Sequence, residues 1–322
     1  MKVLSLYCGA GGIDEGLKQA GLKTSLAIDC ERDCIETMKL NHECETIISK
    51  IEDVESSIDN FDVIVGGPPC PEFSRAKTSR TLDPTEVNRF WAIIEKIKPK
   101  YFLMENVQDV VKVCNRKNYL INCADYGVPQ TRLRRIFTNL PLPRQTYAKT
   151  ICYTLAGDII KKWLSVKDVL GLDGIIEDRK TVFGENNYRQ YDTDKPSNTI
   201  VSDARQWYVA PTGFSAKNKK EISRKIESPI MTIVNANEYV LTNHRVMSQK
   251  YIQYRKEANT SKLYEHKLTN KELSLLQGFP DTYRFFGNKS SVRKQIGNAV
   301  PPQPIKAFFE QILLTNKAMS NP

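Results

Sequence analysis

Cys70 stands in the run Gly66-Gly67-Pro68-Pro69-Cys70-Pro71-Glu72-Phe73-Ser74, directly behind the apolar stretch Phe61 to Val65. A short apolar stretch that ends at glycines reads as a buried strand. A cysteine just past such a strand, behind two prolines of fixed φ, is placed like a nucleophile. A free thiol titrates near ~8.5, so it needs local help to become thiolate. Taken alone, it reads more simply as an inert loop thiol. Two further groups change that balance. Glu105-Asn106-Val107 follows the next apolar stretch, Lys100 to Met104, and Gln130-Thr131-Arg132-Leu133-Arg134 comes after it. A positioned carboxyl can manage a proton, and guanidinium groups suit phosphate or carboxylate. The plainer readings are a surface acid and a solvated basic strand.

The second constellation is Tyr7-Cys8-Gly9-Ala10-Gly11-Gly12, between an apolar stretch from Lys2 to Cys8 and a helix-like stretch to Ala20. Glycines let the backbone turn sharply and approach a ligand, and the N–H groups at the helix start favour an anion. Asp29 ends the next apolar stretch, Ser25 to Asp29, where an acid meets ribose hydroxyls in nucleotide-binding α/β folds. The spacing is GxGG, not the GxGxxG of a dinucleotide site. A nicotinamide dinucleotide and S-adenosylmethionine both fit, the latter through its carboxylate at the helix start.

These residues need elements to hold them. Arg32 to Asn41 and Glu86 to Ile97 read as helices, the second with Val87, Phe90, Ile93, Ile94 and Ile97 on one face. Strand and helix signals alternate as far as Leu142, which predicts an α/β fold with a mainly parallel sheet covered on both faces. Residues 1–143 form the first part of this catalytic and cofactor-binding domain. Residues 144–265 break the rhythm. They hold 20 Lys/Arg against 14 Asp/Glu, which supplies +6 of the net +10, and they hold 13 aromatics. They read as a smaller basic domain. Residues 266–322 return to the first domain: Thr269 and Glu272 have the spacing of a capping box, and a last helix starts near Pro304.

The excess of basic residues suits a polyanion. No apolar run is long enough to span a bilayer, and the N-terminus reads as a strand and not a signal peptide. None of the eight cysteines forms a CxxC pair, and none has a partner pair at zinc-site spacing. No metal is therefore expected, and an intracellular, cytoplasmic protein with reduced thiols is.

Six segments decide the reading together. The glycine turn, Gly66 to Ser74, Glu105 to Val107 and Asp125 to Arg134 are followed by Gln277-Gly278-Phe279-Pro280 and Gln295-Ile296-Gly297-Asn298-Ala299-Val300-Pro301-Pro302. In this order they resemble the DNA (cytosine-5) methyltransferase family, across about residues 1–140 and 266–312. The resemblance implies a Rossmann-like S-adenosylmethionine-dependent methyltransferase domain with a target-recognition domain over residues 144–265. It implies Cys70 as nucleophile toward C6 of a flipped cytosine, Glu105 as the carboxyl that binds N3 and the exocyclic amine, and Arg132 and Arg134 as holders of the flipped nucleotide. For S-adenosyl-L-methionine it implies Tyr7 on the adenine, Gly9, Gly11 and Gly12 around the methionine moiety, and Asp29 on the ribose. Ile51, Pro68 and Asn298 are further contacts. Lys217, Lys219, Lys220, Arg224 and Lys225 then read as a DNA-backbone loop, with a solvated charge run as the plain alternative. The expected partner is double-stranded DNA, bound by a monomer that works beside a cognate restriction endonuclease.

Three positions depart from the family pattern. Pro71 stands where a glutamine usually follows the nucleophile. Lys50 stands where an acid usually precedes the isoleucine, with Asp53 as a substitute. Only 15 residues, Val107 to Ile121, separate Asn106 from Asn122, so a peripheral helix is expected to be missing. A branch of the same family acts on tRNA, but its typical Cys-Phe-Thr tripeptide is absent here. A catalytically silent DNA-binding protein would not need Cys70, Glu105 and both arginines. A nicotinamide-dependent reductase would leave Cys70 and the Gln-x-Arg-x-Arg segment unexplained.

Overall fold

A computed structural model describes residues 1–69, 83–154, 157–171, 175–182, 185–192, 194–198, 200, 207–210 and 266–320. Cys70 and the basic run from Lys217 to Lys225 lie outside the described residues.

The short apolar stretches form a seven-stranded sheet in the order β3-β2-β1-β4-β5-β8-β6. Its strands are β1 (Val3–Leu6), β2 (Leu26–Asp29), β3 (Glu45–Ile48), β4 (Val63–Gly66), β5 (Tyr101–Asn106), β6 (Tyr119–Asn122) and β8 (Leu133–Thr138). The first five are parallel, and β8 runs antiparallel to both β5 and β6. This is the expected mainly parallel α/β sheet. The strand order reverses between β1 and β4, where an open α/β sheet binds its ligand. Leu6, Ile28, Gly66 and Met104 lie in one row across the parallel strands. The glycine turn, Asp29, the Pro68-Pro69 segment and Glu105 all follow that row, so they share one edge.

β1 and β4 are buried on both faces, as parallel strands are. Helices α1 (Gly12–Gln19) and α8 (Pro302–Ser320) cover one face, where Ile13, Leu17, Ile305, Phe308 and Phe309 meet Val63, Val65 and Leu103. Helices α3 (Ile51–Val54) and α4 (Thr85–Ile97) cover the other, where Phe90, Trp91 and Ile94 meet Leu4, Ile64 and Met104. Helix α2 (Arg32–Asn41) packs beside β2 through Ile35 and Met38. The chain's last part thus returns to its first. Glycine makes that possible at two points: a side chain on Gly12 would strike the Val300 carbonyl, and one on Gly16 would strike Pro302 and Ile305.

Thr269 and Glu272 do form a capping box, on α6 (Asn270–Leu276). Helix α7 (Lys289–Asn298) was not expected, and neither was β3 as a strand. β3 is an edge strand whose Ile47 and Ile48 are exposed, so it lacks the burial signature of its neighbours. Between Asn106 and Asn122 the only helical turn is a 3₁₀ turn over Gln108–Lys112, in keeping with the shortened segment. In the basic segment, Tyr147–Ala148 (β9), Cys152–Tyr153 (β10) and Ile159–Lys162 (β11) form a small sheet, followed by helix α5 (Val166–Leu170). Ile175–Val182 (β12) and Glu185–Asp192 (β13) form a long antiparallel pair. Ser197–Asn198 (β14) then pairs with Gln130–Thr131 (β7). No helix among the described residues is long and apolar enough to cross a membrane.

Asp14, in the first turn of α1, is 1% exposed and accepts hydrogen bonds from Ser5 and Thr24. Burial pushes its carboxyl up to about 6, although both hydroxyls pull it down. The folded state therefore holds this proton at a pH where the unfolded chain has released it. Its contribution to stability falls as pH rises from about 4 to about 6. The stability of Asp14→Asn relative to the parent should rise by about 1–3 kcal/mol over that window, measured by chemical denaturation. A pH-independent difference would show that Asp14 is ionised in the fold.

Candidate active site

The glycine turn begins with Tyr7 at φ 51, an uncommon conformation for a residue with a side chain. Gly9 and Gly11 follow at φ 53 and 75. The Gly9 N–H donates to Asp29 Oδ2 at 2.9 Å, and the Glu31 N–H donates to Asp29 Oδ1 at 2.9 Å. A carboxylate has about four lone-pair sites, so it can still accept from a hydroxyl. Burial raises the Asp29 carboxyl above its usual range, and the backbone N–H groups of Glu31, Gly9 and Cys30 act against that. The turn has two unlike sides. Among the described residues a side chain on Gly9 would meet nothing within 4 Å, whereas Gly11 is closed in by Met38 and Tyr283, and Gly12 by Val300. Tyr283 donates to the Ala10 carbonyl at 2.6 Å and lies 3.3 Å from His42 Nε2. Open room beside Gly9, an acid at the end of β2 and a half-buried tyrosine fit a nucleoside that carries an amino-acid group.

The remaining expected cofactor contacts have mixed settings. Ile51 is a core residue, packed with Leu6 and Ile28 at the start of α3. Asn298 is exposed at the end of α7. Pro68 is buried, and its carbonyl accepts from Asn106 Nδ2 at 3.1 Å, which fixes the segment leading to Cys70.

Glu105 and Arg134 form the charged centre. Glu105 sits opposite Ile136 in the β5–β8 ladder, so Arg134, two residues away, projects from the same face. Arg134 Nε lies 2.8 Å from Glu105 Oε1, with both side chains nearly buried. The other oxygen, Oε2, points toward Gly67: a Cβ there would lie 3.7 Å from it. A carboxylate held on one oxygen and directed with the other toward the Pro-Pro-Cys segment can exchange a proton with a bound ring nitrogen.

Arg132 is a different case. It is 2% exposed, and its guanidinium donates to the carbonyls of Ile200 at 2.9 Å, Gly297 at 3.2 Å and Ala299 at 3.3 Å. Burial and the neighbouring Arg134 charge bring it down to about 9. In this arrangement it has no open face for a nucleotide. Beside it, Gln130 accepts from the Ile200 N–H at 3.0 Å and donates to Gln277 Oε1 at 2.8 Å, and both glutamines are 0% exposed. Sequence reasoning gave Gln130 and Gln277 no role, although both stand in the segments it singled out.

The family model described as C-5 cytosine-specific DNA methylase matches residues 1–120 and 115–314. The chain belongs to that family. It is a DNA cytosine-5 methyltransferase. The Type II methyltransferase M.FnuDI of Fusobacterium nucleatum is 27% identical, over 94% of this chain and 91% of the relative. M.NgoPII of Neisseria gonorrhoeae is 28% identical, over 94% and 92%. A crystal structure of a Spodoptera frugiperda DNMT2 mutant superposes with TM-score 0.57 at 20% identity, covering 97% of the methylase and 98% of that chain, which shows the shared fold.

If the Arg132 guanidinium chiefly ties main chain together, Arg132→Leu should lose about 2–4 kcal/mol of stability in the absence of DNA, through the donor lost at three carbonyls, of which Ala299 keeps a second donor in Gln277. Urea denaturation measures this. Unchanged stability together with weakened DNA binding would instead return Arg132 to the nucleotide.

Proposed function

We propose that this methylase transfers a methyl group from S-adenosyl-L-methionine to C5 of a cytosine flipped out of double-stranded DNA, through a covalent Cys70–C6 bond. The observation that carries this reading is the Glu105–Arg134 pair, directed at Gly67 three residues before Cys70. A target atom inside the duplex is out of reach, so the base must leave the stack.

When bound, the cofactor supplies an electrophilic methyl on sulfonium. Cys70 thiolate adds to C6 while Glu105 supplies a proton at N3, which leaves C5 enamine-like and nucleophilic. Arg134 holds Oε1 of Glu105 and so aims Oε2 at the base. After C5 takes the methyl, its proton leaves to solvent, the electron pair re-forms the C5–C6 double bond, Cys70 departs as thiolate, and N3 returns its proton to Glu105. Arg132 serves this chemistry from behind, by shaping the Gly297–Ala299 turn. Asp29 accepts from the ribose, Tyr7 meets the adenine, and the open side of Gly9 admits the methionine moiety.

Residues 144–265 act as the target-recognition domain, inserted between the two parts of the catalytic domain. Lys217, Lys219, Lys220, Arg224 and Lys225 bind phosphates there, without reading bases. The near-full-length match to Type II methyltransferases supports a restriction-modification role and DNA over tRNA as substrate.

S-adenosylhomocysteine should raise the melting temperature and NAD should not, since only a ligand of the folded state stabilises it. Equal stabilisation by NAD would sink the cofactor reading. DNA with 5-fluorocytosine at the target cannot release its C5 substituent as a proton, so the protein should stay attached through Cys70 alone. Cys70→Ser should form no adduct, and Glu105→Gln should form it more slowly while still binding DNA. Mass spectrometry of the trapped complex locates the bond, and bisulfite sequencing of methylated DNA gives the target. A bond at another cysteine, or full methylation by Cys70→Ser, overturns the mechanism.

A further inference from the structure

A ring that stacks on adenine needs no hydroxyl, and phenylalanine would serve. Here the hydroxyl is engaged. Tyr7 Oη donates to Glu86 Oε2 at 2.8 Å, across 79 residues of chain. Glu86 lies in the first turn of α4, and Arg89 stands one helical turn further on. Arg89 is an ion-pair hub with its side chain 15% exposed. Its Nη1 is 2.7 Å from Glu55 Oε2, its Nη2 is 3.3 Å from Glu52 Oε2, and its Nε is 3.5 Å from Glu86 Oε2. One connected network thus joins the end of β1, the start of α4 and the end of α3. One cation among three carboxylates leaves Glu86 a strong acceptor, and a bond to a charged acceptor is stronger than a neutral one. Burial and the Glu86 charge both raise the Tyr7 phenol well above its ordinary value, so it remains a donor across the working pH range. Tyr7 also sits at φ 51, a conformation that persists only where its surroundings hold it.

We infer that Glu86 and Arg89 are positioning residues for the cofactor: they hold the Tyr7 ring, through its hydroxyl, in the orientation that meets adenine, and bind α3 and α4 into the same pocket wall. This rests on the cofactor reading above. Without the hydroxyl bond the ring samples other orientations, and apparent affinity falls with the fraction that remains competent. The bond also makes the start of α4 sense whether the pocket is filled.

Calorimetric titration with S-adenosylhomocysteine tests this on the whole chain. Tyr7→Phe, which keeps the ring, should weaken binding about three- to tenfold. Glu86→Ala should do the same, and Glu86→Gln, which keeps an acceptor, should recover most of the loss. The Tyr7→Phe/Glu86→Ala double variant should bind no worse than either single one. In hydrogen exchange, the ligand should protect residues 85–90 of the parent and not of Tyr7→Phe. Multiplying losses in the double variant, or parental affinity and protection in Tyr7→Phe, overturns the inference while leaving the cofactor reading intact. Failure of the parent to bind S-adenosylhomocysteine removes both.

Discussion

Arg132 donates to three main-chain carbonyls in two distant parts of the chain, and the arrangement of the site follows from that attachment. A buried guanidinium is costly unless its donors are used, and buried carbonyls are costly unless something donates to them. The two needs are met together at Ile200, Gly297 and Ala299. Fixing Ala299 fixes Val300, whose carbonyl closes on Gly12 and whose side chain faces Gly67. The cofactor turn and the approach to Cys70 thus share a neighbour that Arg132 holds. Gln130 and Gln277 extend the same logic: Gln130 donates to Gln277 Oε1, and Gln277 donates to the Ala299 carbonyl. Four stretches of the chain meet in one buried polar knot, in which Arg132 Nε is without a hydrogen-bond partner among the described residues, and such a knot tolerates little change.

The sheet supplies the rest of the geometry. Parallel strands of matched register bring their carboxyl ends into one row, so loops from β1, β2, β4 and β5 open on one side. The backbone at each of those ends is used. Pro68 offers its carbonyl to Asn106, and Gly9 offers its N–H to Asp29. These contacts hold the loop ends in place, which is what a site needs if ligands are to be met in a fixed geometry.

Charge is distributed to match. The Glu105–Arg134 pair is nearly buried, so each partner depends on the other to offset its desolvation. Arg132, close by, has no carboxylate of its own and leans on carbonyl dipoles instead. That unequal treatment of two arginines two residues apart comes from their separate surroundings: Arg134 projects beside Glu105 on the β5–β8 ladder, while Arg132 precedes β8, where the chain from β14 and the turn after α7 converge on it.

The sequence by itself determined the fold class and the family. The alternation of short apolar stretches with amphipathic helices is a local property, and so are the glycine turn, the Pro-Pro-Cys run and the capping box at Thr269, so each was legible from neighbouring residues. β3 was not legible, because an edge strand buries little and carries no clean apolar signature. The hydroxyl of Tyr7 gave no hint of Glu86, 79 residues away. Gly11 and Gly12 read as a cofactor turn, and only the packed chain shows that Met38, Tyr283 and Val300 fill the side where their side chains would be. Arg132 and Arg134 look alike as letters in a Gln-x-Arg-x-Arg run. Tertiary structure separated them, because a side chain's partner is fixed by which distant segments fold against it, and a linear pattern does not encode that.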